Sequence, residues 1–194
     1  MKMISLVCIL LVLAASPVEA SSTRSISPDG KQIATILPNG VGREDGTGSE
    51  VLVLSDMASG KERRLLVSRY DEDTHRNLTN LSNPLFSLNG GYVYFSTSDV
   101  MPTSDAVHQV DLRTGTIRFV IGGTAMKVIR TGPFRGYLLV QQHRYFKRPE
   151  GGSYNPVFVV RPDGHEEFMV PGSGNDDGEL AIEPWLAKHN WRAW

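Results

Sequence analysis

One local pattern recurs along this chain and restricts its fold more than any other feature. It is a tight turn that leads into a short apolar run rich in β-branched or aromatic residues. Residues 27–31 (Ser-Pro-Asp-Gly-Lys) lead into Ile33–Leu37, residues 87–91 (Ser-Leu-Asn-Gly-Gly) into Tyr92–Ser96, and, after a first strand at Lys127–Arg130, residues 132–136 (Gly-Pro-Phe-Arg-Gly) into Tyr137–Gln141. Proline fixes φ at the second position of such a turn, and glycine takes the positive φ that the reversal needs. β-Branched and aromatic side chains fit a pleated, half-buried surface. Each of these three units therefore reads as strand, turn, strand.

A second unit of the same kind follows each of the first three after a longer loop. Its turns are Asp56–Lys61, Asp111–Thr116 and Arg161–His165. Gly30, Gly90 and Gly136 are spaced by 60 and 46 residues, and Gly60, Gly115 and Gly164 by 55 and 49. Two hairpins in a period of about 45–60 residues suit four-stranded blades with long loops. Helical periodicity is absent until Glu183–Asn190, which reads as a short helix with proline near its start or as an extended tail.

Ser27–Lys31 before an apolar strand, Leu78-Thr79 ahead of Phe86-Ser87, and Val110-Asp111 running into Gly115 resemble the TolB-type, WD-like β-propeller repeat. The resemblance covers roughly residues 23–170. It implies an all-β, propeller-like array of about three four-stranded antiparallel blades over residues 21–171, with a short C-terminal tail or helix over 172–194. It implies no particular reaction, because this repeat serves both binding proteins and the gating domains of peptidases. The chain has no Gly-x-Ser-x-Gly elbow. Three blades are fewer than a closed propeller uses, so an apolar side must be covered. The tail, a second copy of the chain or a partner protein would each do so. Trp185, Trp191 and Trp194 all lie in the tail and supply the apolar area for a cap or an interface.

The first twenty residues read as a signal peptide. Lys2 precedes an apolar run from Ile4 to Ala15, Pro17 breaks it, and Val18-Glu19-Ala20 places small residues for cleavage before Ser21. The only cysteine, Cys8, lies inside this run. Export to a periplasm or secretion is expected, with no membrane span after the signal is removed. Net charge is −1, which argues against nucleic acid as a partner. Asn77 and Asn80 match the N-glycosylation acceptor pattern, which matters only in a eukaryotic secretory pathway.

The long polar segments 39–50, 69–81, 97–106, 142–155 and 172–179 fall at one end of the blades, and compact turns fall at the other. Long loops on a rigid scaffold are where binding concentrates. Among them, Arg144, Tyr145, Phe146, Arg148 and Tyr154 combine aromatic anchors with charge and form the candidate protein-binding set. The bland alternative is that the rings pack beneath their own loop. Asp71, Asp73 and His75 alternate, and on an extended strand they would face one way as ligands for a divalent cation. A solvated acidic loop is the simpler reading. No nucleophile pairs with a base, so no catalytic residue is assigned. The leading expectation is an exported, non-catalytic protein-binding module, such as an inhibitor, immunity-type or envelope-complex protein, with a homodimer as a further arrangement. The alternative is a propeller-type, metal-dependent hydrolase of a sugar or phosphate ester using Asp71, Asp73 and Asp176.

Overall fold

The computed structural model describes residues 23–40, 49–98, 105–146, 151–174 and 177–194. The expected signal, residues 1–20, lies outside them, as do Arg148 and Asp176. The described residues build three four-stranded antiparallel sheets. The first contains β1 (Arg24–Ile26), β2 (Gln32–Pro38), β3 (Glu50–Asp56) and β4 (Glu62–Val67), in that order. The second contains β5 (Ser82–Phe86), β6 (Tyr92–Ser98), β7 (Asp105–Asp111) and β8 (Ile117–Gly122). The third contains β9 (Thr124–Val128), β10 (Leu138–Gln141), β13 (Val157–Val160) and β14 (Glu166–Met169). Between β10 and β13, the strands β11 (Arg144–Tyr145) and β12 (Ser153–Tyr154) form a separate two-stranded hairpin. The first two sheets are meanders of sequential neighbours, and the third is the same antiparallel meander with the β11–β12 hairpin inserted between its middle strands, which is the propeller-blade topology expected from the repeat.

The repeat extends to individual hydrogen bonds. Ser27 Oγ donates to Asp29 Oδ1 at 2.6 Å and accepts the Gln32 N–H at 2.9 Å. In the second sheet Ser87 Oγ donates to Asn89 Oδ1 at 2.8 Å and accepts the Tyr92 N–H at 2.9 Å. Gly30 and Gly90 have φ of 72° and 68°, so both turns use the left-handed region. At the outer hairpins, Asp56 Oδ1 accepts the Ser59 N–H at 2.7 Å and Asp111 Oδ1 accepts the Thr114 N–H at 2.8 Å. Hydrogen bonds to the ionised form, first from the Ser59 hydroxyl to Asp56 and from the Thr114 N–H to Asp111, hold both carboxyls below the usual aspartate range. The aspartates therefore lock turns rather than exchange protons.

Side-chain alternation sorts the apolar residues into layers. Ala34, Ile36, Leu52, Leu54 and Leu66 of the first sheet pack on Phe86, Val93, Phe95 and Val110 of the second. Tyr94, Val107 and Val120 lie on the other side of the second sheet and meet Ala125, Val128, Leu138, Val140 and Val160 of the third. Phe86 and Phe95 are fully buried, and each such side chain contributes about 1.5–3 kcal/mol.

The third repeat begins earlier than the sequence pattern indicates. β9 starts at Thr124 rather than at Lys127, and only Gly123 separates it from β8. Gly123 has φ of 123°, and a Cβ there would lie 2.4 Å from the Gln141 carbonyl oxygen. Ala125 donates its N–H to Ser96 Oγ at 3.0 Å, so the chain enters the third sheet across the end of the second.

The far face of the third sheet meets the C-terminal segment. A 3-10 turn (Gly178–Ala181) leads into helix α1 (Ile182–Lys188). Ile182, Trp185 and Leu186 pack against Ile129, Leu139, Val157, Val159 and Val170. Beyond the helix the backbone turns back and pairs with the continuation of β9. Val128 N–H donates to the Trp194 carbonyl at 2.9 Å, and Arg130 N–H to the Arg192 carbonyl at 2.6 Å. Lys127 and Glu183 form an ion pair at 3.3 Å.

Candidate functional site

The β11–β12 hairpin grows from the β10–β13 connection, at the long-loop end of the third sheet. Arg144 pairs with Tyr154 and Tyr145 with Ser153 across it. Its base is held by a polar cluster that ties it to the sheet. Gln142 is 6% exposed and donates Nε2–H bonds to the Gly122 carbonyl at 3.1 Å and to Glu166 Oε1 at 2.8 Å. Arg144 is half-exposed and folds back along the sheet. Its Nε donates to Gln142 Oε1 at 2.9 Å, an Nη also donates to that oxygen, and the same Nη reaches Glu166 Oε1 at 2.7 Å. The guanidinium lies 5.2 Å from the Phe158 ring centroid. A hydrogen bond between charged groups is stronger than a neutral one, and with the Gln142 bonds it anchors the base of the hairpin at several points.

Above this base the rings sort into two kinds. Phe146 and Tyr154 stack with centroids 4.6 Å apart and an interplanar angle of 17°. Tyr145 points away and is 69% exposed, while Phe146 remains 43% exposed. His143 meets Tyr145 edge to face at 5.0 Å, and its Nδ1 lies 2.9 Å from Asn155 Oδ1. The hairpin thus presents a pre-ordered aromatic surface in which Tyr145 is the most accessible ring. Of the sequence-derived set, the structure brings Arg144, Tyr145, Phe146 and Tyr154 together. Arg144 serves the base rather than the outer surface, and Arg148 is outside the described residues. Gln142 and Glu166 were not singled out by sequence. Glu166 is 24 residues from Gln142 in sequence, so no local motif connects them.

Asp71, Asp73 and His75 are arranged differently from the alternating strand that their spacing suggested. The segment coils as a turn: Asp71 Oδ1 accepts the Asp73 N–H at 3.0 Å, and Asp73 Oδ1 accepts the His75 N–H at 3.0 Å. Both carboxylates face the Arg76 guanidinium, at 3.3 and 3.5 Å. The His75 ring stacks on Phe119 at 4.1 Å, away from the aspartates. Short side-chain-to-backbone bonds of this kind compete with extended structure, which is why alternation in sequence did not become alternation in space. Among the described residues, no group of three histidine, cysteine or acidic side chains is arranged to hold a metal ion.

The same loop covers His108. This residue is fully buried, its Nε2 lies 3.3 Å from the His75 carbonyl oxygen, and its Nδ1 lies 3.3 Å from Thr97 Oγ1. A carbonyl only accepts, so Nε2 carries the proton. Burial pushes the His108 pKa below the ordinary histidine value. Asn77 is 2% exposed and donates to the Ser98 carbonyl at 2.8 Å. Its amide is consumed by the fold, whereas Asn80 is exposed.

The tail tryptophans take separate positions. Trp185 is 7% exposed and meets Trp191 at 5.2 Å and Phe168 at 6.1 Å. Trp191 packs against Gly132, where a Cβ would lie 2.5 Å from the indole nitrogen. Trp194 lies under the Arg130 guanidinium, 3.5 Å from the ring centroid.

The fold defined by these sheets is a propeller-like array of three blades. No family model and no curated protein matches the chain. Among solved structures it is similar to a TolB from Agrobacterium tumefaciens described as putative, with 17% identity and a TM-score of 0.47 over 80% of this chain and 51% of that one. It is also similar to dipeptidyl peptidase 4 of Porphyromonas gingivalis, with 10% identity and a TM-score of 0.49 over 79% of this chain and 24% of that one. TolB from Acinetobacter baumannii gives 13% identity and a TM-score of 0.42 over 79% and 44%. The chain spans about half or less of the length of each. Among the described residues, no helix is long and apolar enough to cross a membrane.

Proposed function

We propose that this domain is an exported protein-binding module that engages its partner through the β11–β12 hairpin. One observation carries the reading: Tyr145 and Phe146 are exposed on a hairpin whose base is fixed by Gln142, Arg144 and Glu166. Exposed aromatic rings on a pre-ordered support bind with little loss of side-chain entropy. The expected partner is a folded protein with a concave apolar pocket and a polar rim. The signal peptide expected at residues 1–20 supports a periplasmic or secreted location. An occluding role, as in an inhibitor or immunity-type protein, is the more specific form of the same reading.

A photo-crosslinking amino acid at position 145 tests it, with the same group at Thr116 on the opposite, compact-turn end as the control. The reading expects a discrete crosslinked product in the native envelope fraction from position 145 and none from position 116. Equal labelling from both positions, or none from either, would count against it.

A further inference from the structure

A second concavity lies at the compact-turn end of the blades. Three compact turns meet there: the β5–β6 turn at Ser87–Asn89, the β9–β10 turn at Arg135–Gly136, and the β13–β14 turn at Pro162. Together with Tyr92 and Tyr94 they line an open cavity of about 270 Å³ between the second and third blades. No aspartate or glutamate lines it.

Most polar groups around this cavity are already used. Ser87 and Asn89 bond to each other. Arg118, just behind, donates to Gln109 Oε1 at 3.2 Å and to the Pro162 carbonyl at 2.6 Å. Two groups are left. Tyr94 is 1% exposed and lines the cavity, and no hydrogen bond engages its hydroxyl among the described residues. Arg135 lines the rim, and among the described residues no carboxylate pairs with its guanidinium. A ligand oxygen that accepts a hydrogen bond from Tyr94 gives this hydroxyl the partner it lacks. Burial pushes the Tyr94 pKa up to about 12, so the phenol stays a donor at any physiological pH.

We infer that this cavity binds a carboxylate, with the guanidinium of Arg135 and the hydroxyl of Tyr94 as donors and Leu88, Tyr92 and Pro162 enclosing a small apolar group. One guanidinium and one neutral phenol match a monoanion with two acceptor oxygens, because a carboxylate takes a bidentate pair from arginine. A phosphate dianion needs more cationic donors than the rim offers. A sugar needs acceptors as well as donors, and Ser87 and Asn89 are occupied. Two sources share the chemistry: a free carboxylic acid with a short apolar body, and the C-terminus of a peptide that ends in an apolar residue.

Amide chemical shifts of the isotope-labelled protein, titrated with N-acetyl-leucine and separately with N-acetyl-leucinamide, test the inference. The acid should shift Leu88, Arg135 and Gly136 and bind at least about tenfold more tightly than the amide, a difference of ~1.4 kcal/mol. Arg135→Gln, on an exposed turn, should bring the acid down to the affinity of the amide while leaving the rest of the spectrum intact. Tyr94→Phe keeps the ring and should weaken the acid by about tenfold. The free-acid tripeptide N-acetyl-Ala-Ala-Leu decides the source. Tighter binding than N-acetyl-leucine indicates a peptide terminus, and equal or weaker binding indicates a small acid. The inference is overturned if acid and amide bind equally, if neither shifts these residues at about 10 mM, or if Arg135→Gln leaves the acid's affinity unchanged. The hairpin is at the opposite end of β10, so failure here leaves the hairpin reading untouched, and the reverse holds too.

Discussion

Replacing Trp185 by alanine should separate a structural tail from a dispensable one. The indole is 7% exposed and sits in the layer that joins α1 to the third sheet, with Phe168, Trp191 and His189 around it at 5.2–6.1 Å between centroids. Truncating a buried tryptophan to alanine costs about 3–5 kcal/mol when the surroundings do not collapse. Part of the α1 layer borders solvent and can relax, so the lower end, about 3–4 kcal/mol, applies here. At roughly 2–4 °C per kcal/mol for a domain of this size, the melting midpoint should fall by about 6–16 °C. Calorimetry gives the midpoint, and chemical denaturation gives the free energy. Hydrogen exchange should localise the loss to Ile129, Leu139, Val157 and Val159, which α1 covers. Leu180→Ala is the internal control: the side chain is 70% exposed on the same tail, and the change should stay within about 0.5 kcal/mol. If Trp185→Ala were within about 1 kcal/mol of wild type, the claim that the tail covers the third blade would be wrong.

Other substitutions probe the joins between blades. Gly123→Ala places a Cβ 2.4 Å from the Gln141 carbonyl at a φ of 123°, so it should cost at least about 2 kcal/mol in denaturant melts. Asn77→Ala removes the donor to the Ser98 carbonyl and should cost about 1–3 kcal/mol; an unchanged melt would mean that this link is unimportant. His108 supplies a pH dependence. Its folded pKa lies below the unfolded value of 6.5, so the unfolded chain binds more protons between the two. Stability should therefore fall as pH drops from 6.5 towards the folded pKa and level off below it. Denaturation midpoints at a series of pH values, with His108→Gln flattening the slope, check this. Asp29, Asp56, Asp71, Asp111 and Asp163 all titrate below their usual value of 3.8, so their contribution is lost only in more acid solution.

Local chemistry made the blades readable from sequence. Ser27–Lys31 and Ser87–Gly91 specify their turns through their own side chains, and Asp56 and Asp111 do the same at the outer hairpins. Features set by distant residues were not readable in this way. The start of β9 was placed late because Gly123 alone makes the join, and its need for glycine comes from the Gln141 carbonyl. The β11–β12 hairpin lay hidden in a segment that read as loop, since Glu166 and Gln142, which anchor it, are far apart in sequence. Alternation misled at Asp71–His75 because each aspartate bonds a backbone N–H two residues on. The Tyr94 cavity had no sequence signal, being assembled from turns of two different blades.

The hairpin reading is tested most directly by quantitative capture from the native envelope fraction with two baits, the wild-type chain and the Tyr145→Ala/Phe146→Ala double variant. Both rings are exposed, at 69% and 43%, so the variant should fold normally. The account predicts one partner at near-stoichiometric yield on the wild type and a loss of at least about tenfold on the variant, ~1.4 kcal/mol or more. A partner retained equally by both baits would place the binding surface elsewhere, and no stoichiometric partner on either would contradict the binding-module reading itself.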